Sequence, residues 1–301
     1  MKNKVTIVIP TFNRSNLVCD TIDSALAQTV PCDIIVCDHG SSDNTPELMK
    51  KYGDKITYIR RERDFGPHFC WLEGVLNANT DLVHIHYDDD LMEPEFIEKT
   101  LKYMTDGVGM VFTDAKVLDR ITNKVIVPAC FNFAQKMETG ILGTDKLEKM
   151  LLDGLMLSPA LCLYHRQDLI DAILPGDLPI DFGGNYHGVG PDLLASLLVC
   201  LRYQKCVVIT ESLVKFGSHP GSITVDAIAN QEKLKKLYDG YDAFRTYYQL
   251  IKLYQTNKKI QKRVFIRTKR EYEQKNKWNK RLERKIKLIL KTVGLRKKEV
   301  K

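Results

Sequence analysis

The chain has 301 residues, 44% hydrophobic and 28% charged, with a formal net charge of +7. That length and balance describe one large globular domain or two ordinary ones, and exclude a disordered chain. No uncharged apolar run approaches the ~18 residues that cross a bilayer, so no transmembrane helix is expected; MKNKVTIVIPTFNR has neither the h-region nor the cleavage site of a signal peptide, so export is not expected.

Residues 4–10 (KVTIVIP) form a β-branched run ended by proline, which predicts a first strand. Ser15 can cap a following helix whose Val18, Ile22, Ala25 and Leu26 share one face. Residues 33–38 (DIIVCD) read as a buried parallel strand closed by an aspartate. GSSDNTPEL then gives a turn and a helix start, with Thr45 as cap and Pro46 at the first helical position. A third strand is predicted over 56–59, a helix over 67–79, a fourth strand over 82–86 and a helix over 94–104. Strands alternating with helices of this length imply right-handed crossovers and a parallel sheet. Ligands bind such sheets at the carboxyl ends of the strands. Thr11 and Asn13, Asp38 and His39, and Asp88, Asp89 and Asp90 are therefore expected on one rim.

Two strands are predicted within 108–128 around the turn at 119–123, another strand over 157–164, and a buried helix over 192–202. The eight cysteines never form a C-x-x-C pair, and several, such as Cys37 and Cys200, sit in apolar runs. They read as buried free thiols of a reducing compartment, without the spacing of a zinc cluster.

Three adjacent carboxylates repel one another unless something compensates their charge. A divalent cation does so, and oxygen ligands suit Mg²⁺ or Mn²⁺. A solvated acidic turn or a helix N-terminus is the plainer alternative for Asp88–Asp90. Asp38 is either an acceptor for a nucleobase or ribose, or a turn aspartate. His84 and His86, two apart on a buried strand, read as satisfied sheet histidines.

The segments IVIPTFNR, IIVCDHGSSDNTPEL, ITYIRRERDFG and HIHYDDDLMEP resemble, in order, the nucleotide-sugar-binding motifs of glycosyltransferase family 2, whose members have the GT-A fold. GPDLLASLL and FGSHPGSIT are similar to the family's catalytic-carboxylate segment and to the His-containing loop after it. The motifs span residues 4–225. The resemblance implies a mixed, mainly parallel α/β sheet flanked by helices. It implies donor contacts from Pro10, Thr11, Asn13, Arg14, Asp38, His39, Gly66 and Asp88. Asp89 is then the direct ligand of Mn²⁺ or Mg²⁺, Asp90 a second ligand or a helix cap, His219 a contact to the diphosphate or metal or an ordinary loop histidine, and Asp192 the general base, the N-cap of its helix, or both. An inverting, metal-dependent transfer from a nucleotide sugar to a hydroxyl of a glycan or lipid-linked glycan acceptor follows, in cell-surface polysaccharide synthesis. Three positions depart from the motifs: His39 replaces a second aspartate, Asp64 an asparagine, and Tyr87 a first aspartate. These departures leave open a catalytically inactive member that acts as a nucleotide- or membrane-binding scaffold. Nucleotidyl transfer would want a basic Gly-rich phosphate loop, and IPTFNRSN is not one. His187, in GGNYHGVGP, reads as part of a mobile acceptor-side loop or as an ordinary loop histidine.

Residues 231–301 carry 24 Lys and Arg against 7 Asp and Glu, a balance of +17, whereas residues 1–230 balance at −10. The expected division is a catalytic domain over 1–230, with a donor half (1–106) and an acceptor half (107–230), and a basic helical tail over 231–301. Leu234, Leu237, Tyr241, Phe244, Tyr248 and Ile251 make one apolar seam. Trp278, Leu282, Ile286, Ile289 and Val293 repeat at helical spacing among Lys280, Arg281, Arg284, Lys285, Lys287 and Lys291. A basic amphipathic helix of this kind suits the plane of an anionic membrane, giving a cytoplasmic protein peripheral on the inner membrane face. The alternative is a helix docked on the domain or on a second subunit, and an oligomer is compatible with the sequence. No nucleic-acid partner is expected, because the body is acidic and carries no nucleic-acid-binding motif.

Overall fold

The computed structural model describes residues 4–173, 178, 189–222 and 230–292. His187 and Val293 lie outside the described residues, as do the side chains of Trp278, Leu282, Ile286 and Ile289. By internal contacts the chain forms two compact units, Met1–Tyr248 and Gln249–Lys301.

The first unit opens with β1 (Val5–Thr11), α1 (Val18–Leu26), β2 (Asp33–Asp38), α2 (Thr45–Met49), β3 (Thr57–Arg60), α3 (Pro67–Asn77) and β4 (Leu82–Ile85). β3, β2, β1 and β4 lie side by side in parallel, as βαβ crossovers require. Every residue of β1 is buried, as befits a central strand covered on both faces. α3 packs tightly because residue 74 is glycine: a Cβ there would overlap the Val8 side chain. Ser15 does not cap α1. Its amide instead donates to Asp43 Oδ2 at 2.9 Å, and the helix begins at Val18. The amide of Thr45 donates to Asp43 Oδ1, so Asp43 ties the first loop to the start of α2.

β5 (Leu91–Met92), α4 (Phe96–Tyr103), β6 (Val108–Asp119), β7 (Lys124–Val127), α5 (Phe133–Lys136), β8 (Gly140–Gly143), α6 (Thr144–Leu152), β9 (Cys162–His165), α7 (Arg166–Ala172), α8 (Pro191–Arg202) and β10 (Lys205–Ser218) follow. The strand predicted over 157–164 is confined to β9, because Pro159–Leu161 make a 3-10 turn before it. β9 joins the halves, pairing antiparallel with both β4 and β6. The sheet order is β3-β2-β1-β4-β9-β6-β10-β5, with β7 on β6 and β8 on β10. The result is a mixed α/β sheet flanked by helices.

α9 (Gln231–Thr256) begins at the composition change, yet the first unit runs on to Tyr248. Phe244 and Tyr248 are fully buried. The second unit contains the end of α9 and α10 (Lys258–Thr292). Gln261 Nε2 there donates to the carbonyls of Tyr254 and Gln255, joining the two helices at Asn257. Among the described residues no helix is long and apolar enough to cross a membrane.

Candidate active site

Parallel register places Thr11 beside Asp38 and Asp38 beside Arg60 at the carboxyl ends of β1, β2 and β3. β4 ends one strand further on, where the amide of His86 donates to Val8 O at 2.8 Å. Asp88, Asp89 and Asp90 therefore emerge on the same edge as Thr11 and Asp38.

Asp38 is buried, and protein groups occupy its carboxylate. Oδ1 accepts from the amides of Gly40 (3.0 Å) and Ser41 (2.7 Å). Oδ2 accepts from the Tyr58 hydroxyl (2.5 Å) and faces Arg60 Nε at 3.7 Å. Its neighbour His39 is also buried. His39 Nδ1 lies 3.1 Å from Asp64 Oδ1, which accepts from the amide of Gly66 as well (2.6 Å). Burial pushes the His39 pKa down, against the opposing pull of Asp64. Gly66 has φ +95°, a left-handed conformation that favours glycine, and leads into α3. Gly40 (φ +96°) brings the His39 loop against the backbone of Arg63. Beyond it, Arg61, Glu62, Arg63 and Phe65 line an open recess of about 460 Å³.

The loop after β1 reaches across to both strand ends. The Asn13 amide donates to Ser41 Oγ at 2.9 Å, and Asn13 Oδ1 accepts from the amide of Ser42 at 2.8 Å. The Phe12 amide donates to Asp88 Oδ2 (3.4 Å), and Arg14 Nε lies 3.7 Å from Asp88 Oδ1. Pro10 is buried inside β1 and gives the loop a fixed base.

The aspartate triplet divides its work. Burial and the neighbouring Asp89 push the Asp88 pKa up to about 7, against the opposing effect of Arg14. Asp89 Oδ2 lies 3.0 Å from His219 Nε2, and His219 Nε2 is 3.5 Å from Arg14 Nη1. Asp90 was expected as a further metal ligand, but it turns away: its Oδ1 accepts from the Gly217 amide at 2.9 Å, and burial raises its pKa strongly. That bond ties β10, which carries His219, to the triplet. Among the described residues no three His, Cys, Asp or Glu side chains gather as a metal-holding group. His84 and His86 are satisfied sheet histidines in part. His84 Nδ1 donates to Cys162 O (2.9 Å), and His84 Nε2 faces His86 Nδ1 (3.2 Å).

Asp192 stands in the first turn of α8, after Gly190 (φ +100°). Its Oδ1 accepts from the Gly190 amide at 3.1 Å and its Oδ2 from the Tyr241 hydroxyl at 2.9 Å. Burial raises its pKa, and these hydrogen bonds oppose the rise. The charge of Asp192 helps to raise the pKa of Tyr87, the residue before Asp88. Tyr241 was invisible as a site residue in the sequence, where it is one apolar-seam position of a basic tail.

Residues 6–141, a little under half of the chain, match the family model of Glycosyl transferase family 2. The fold is of the GT-A type. An uncharacterized glycosyltransferase of Rickettsia bellii is 26% identical over 268 residues, covering 83% of this chain and 35% of the relative. An undecaprenyl-phosphate 4-deoxy-4-formamido-L-arabinose transferase of Serratia proteamaculans is 30% identical over 119 residues, covering 36% of each chain. The chain thus spans about a third of the length of these relatives. Among solved structures, S. aureus TarS 1-349 in complex with UDP-GlcNAc superposes with a TM-score of 0.58 at 17% identity, over 73% of this chain and 60% of TarS 1-349. The mannosyltransferase PcManGT from Pyrobaculum calidifontis, in complex with GDP-Man and Mn2+, superposes at 0.52 and 16% identity, over 82% and 69%.

Proposed function

We propose that the chain is an inverting, metal-dependent glycosyltransferase that moves a sugar from a nucleotide-sugar donor to a hydroxyl of a glycan or lipid-linked glycan. One observation carries this reading: Arg14, Asp88, Asp89 and His219 form a linked cluster at the carboxyl edge of the sheet. The donors of the two solved relatives, UDP-GlcNAc and GDP-Man, support a nucleotide sugar. The undecaprenyl-phosphate transferase supports a lipid-linked acceptor.

The residues suit a divalent cation. His219 Nδ1 donates to Pro220 O at 2.8 Å, which orients the ring with Nε2 3.0 Å from Asp89 Oδ2. A carboxylate oxygen and an imidazole nitrogen this close could together hold a divalent cation in place of the contact between them. Mg²⁺ and similar ions take one or two protein ligands and fill the remainder with water and substrate phosphates, so a pair of donors is enough. Such a cation would neutralise the charge that grows on the leaving diphosphate.

The chain's own groups do the remainder. Arg14 holds the diphosphate beside Asp88. Phe12 and His39, with ring centroids 6.2 Å apart, flank the base. Asp192 is only partly buried, which leaves it open to the acceptor hydroxyl. It takes that proton as the oxygen attacks the anomeric carbon. One base opposite one leaving group gives single displacement and inversion.

The division of labour is a catalytic body and a basic helical extension that holds the protein on an anionic membrane on the cytoplasmic side. Its +17 balance supports this. The reading is tested by thermal shift of the full chain with UDP and GDP, with and without Mn²⁺. A metal-dependent rise with one nucleotide is expected; no rise with either overturns the donor assignment. A scaffold that binds nucleotide without transfer would show the rise but release no sugar from UDP-GlcNAc or GDP-mannose.

A further inference from the structure

Helix α9 begins where the chain turns basic, but its first half is built into the acceptor side of the catalytic unit. Two glycines bring it close. A Cβ at Gly190 would overlap the Phe244 ring, and one at Gly240 would press on Val189 at 3.1 Å. Arg245 Nε donates to Leu151 O at 3.0 Å, and Phe244 and Tyr248 are fully buried. Tyr241, on the same turn as Phe244, is thereby fixed with its hydroxyl 2.9 Å from Asp192 Oδ2. The other carboxylate oxygen is held by the amide of Gly190, inside the turn that Phe244 packs against.

We propose that Tyr241 is a positioning residue for the general base: its hydroxyl locks the Asp192 carboxylate in one orientation, with the remaining lone pairs turned to the acceptor. The proposal rests on the reading of Asp192 as that base. A carboxylate that accepts a hydrogen bond is favoured in its ionised form. The Tyr241 hydroxyl therefore also counters the rise that burial imposes on the Asp192 pKa. Among the described residues, the other groups that bear on Asp192 supply no positive charge. They are Tyr87 after β4, Cys162 and Tyr164 on β9, and the amides of Gly190 and Leu193 on its own turn. Arg245, one turn along α9, acts on Tyr241 rather than on Asp192. The hydroxyl is thus the side-chain donor that the rest of the chain brings to Asp192 among the described residues.

The test uses the full chain and three variants. The ¹³C carboxyl shift of Asp192, assigned by its disappearance in Asp192→Asn, is titrated in the parent chain, in Tyr241→Phe and in Phe244→Leu. Hydrolysis of UDP-GlcNAc or GDP-mannose with Mn²⁺, with water in place of the acceptor, is followed against pH. Tyr241→Phe should move the Asp192 midpoint and the acid limb of hydrolysis up by about one pH unit. It should also lower kcat about tenfold or more and leave KM for the donor within twofold. Phe244→Leu should lower Tm while leaving the midpoint in place. A Tyr241→Phe chain with an unmoved midpoint and a Tm lowered as in Phe244→Leu overturns the proposal, because Tyr241 would then only pack. If Asp192→Asn hydrolyses the donor normally, the general-base reading falls and the proposal falls with it. An inactive Asp192→Asn beside an unaltered Tyr241→Phe sinks the proposal alone.

Discussion

His39 Nδ1 lies 3.1 Å from Asp64 Oδ1, so two of the three departures from the family motifs are in contact with each other. A carboxylate lost at one position is regained at the other, in contact with the imidazole. The pair should behave as a unit. Asp64→Asn should weaken UDP or GDP binding about tenfold, or ~1.4 kcal/mol. His39→Asp should weaken it further by setting two carboxylates together. The double variant His39→Asp/Asp64→Asn should recover part of the loss. Titration calorimetry of the four chains measures this; strictly additive losses would mean that the two residues act separately.

Asp89 and His219 converge from β4 and β10, 130 residues apart in sequence. Asp89→Ala and His219→Ala should each abolish the Mn²⁺-dependent part of the nucleotide thermal shift and leave the metal-free Tm within a few degrees. Retention of the metal effect in Asp89→Ala would remove this carboxylate from the cation site.

Gly217 is the point where β10 meets the triplet. A Cβ there would overlap the Asp89 carbonyl oxygen, while the Gly217 amide holds Asp90. Gly217→Ala should destabilise the chain by about 1–3 kcal/mol, as overpacking does. It should displace both Asp89 and His219, so donor hydrolysis should fall more than stability alone explains. Urea unfolding and hydrolysis rates on the same preparation separate the two effects.

Burial pushes the His84 pKa down to about 4 and lowers that of His86 in the same direction. The unfolded chain binds these protons from about pH 6.5 downward, and the native state does not. Stability is therefore fully present above pH 6.5 and is lost as pH falls toward 4, by an amount on the order of 3 kcal/mol for a fully buried histidine. Tm measured from pH 7.5 to 4.5 should follow this curve. His84→Gln should start lower and lose less on acidification; an equally steep loss would place the effect elsewhere.

The first four strands and their polar ends were legible because each strand is a short apolar run closed by a turn, so neighbouring residues carry the whole signal. β10 was not. Its run breaks at Thr210-Glu211-Ser212, where the pairing with β6 shifts register, and the bulge erases the alternation that a strand shows. Asp90 illustrates a second limit. Composition shows three carboxylates, but which of them faces a ligand depends on the Gly217 amide, supplied by a distant strand. Tyr241 shows a third. An apolar seam looks alike whether its tyrosine packs or donates, and only the close approach at Gly190 and Gly240 turns its hydroxyl onto Asp192.

Asp38 has its carboxylate filled by two amides, a phenol and a guanidinium. It therefore works as a strut, joining the His39 loop to β3 before any donor arrives. Asp38→Ala should abolish activity as completely as Asp89→Ala, but through collapse of the scaffold, with Tm falling alongside turnover. In a mutational scan the two aspartates would score alike, and only the melting curve would tell the pillar from the tool.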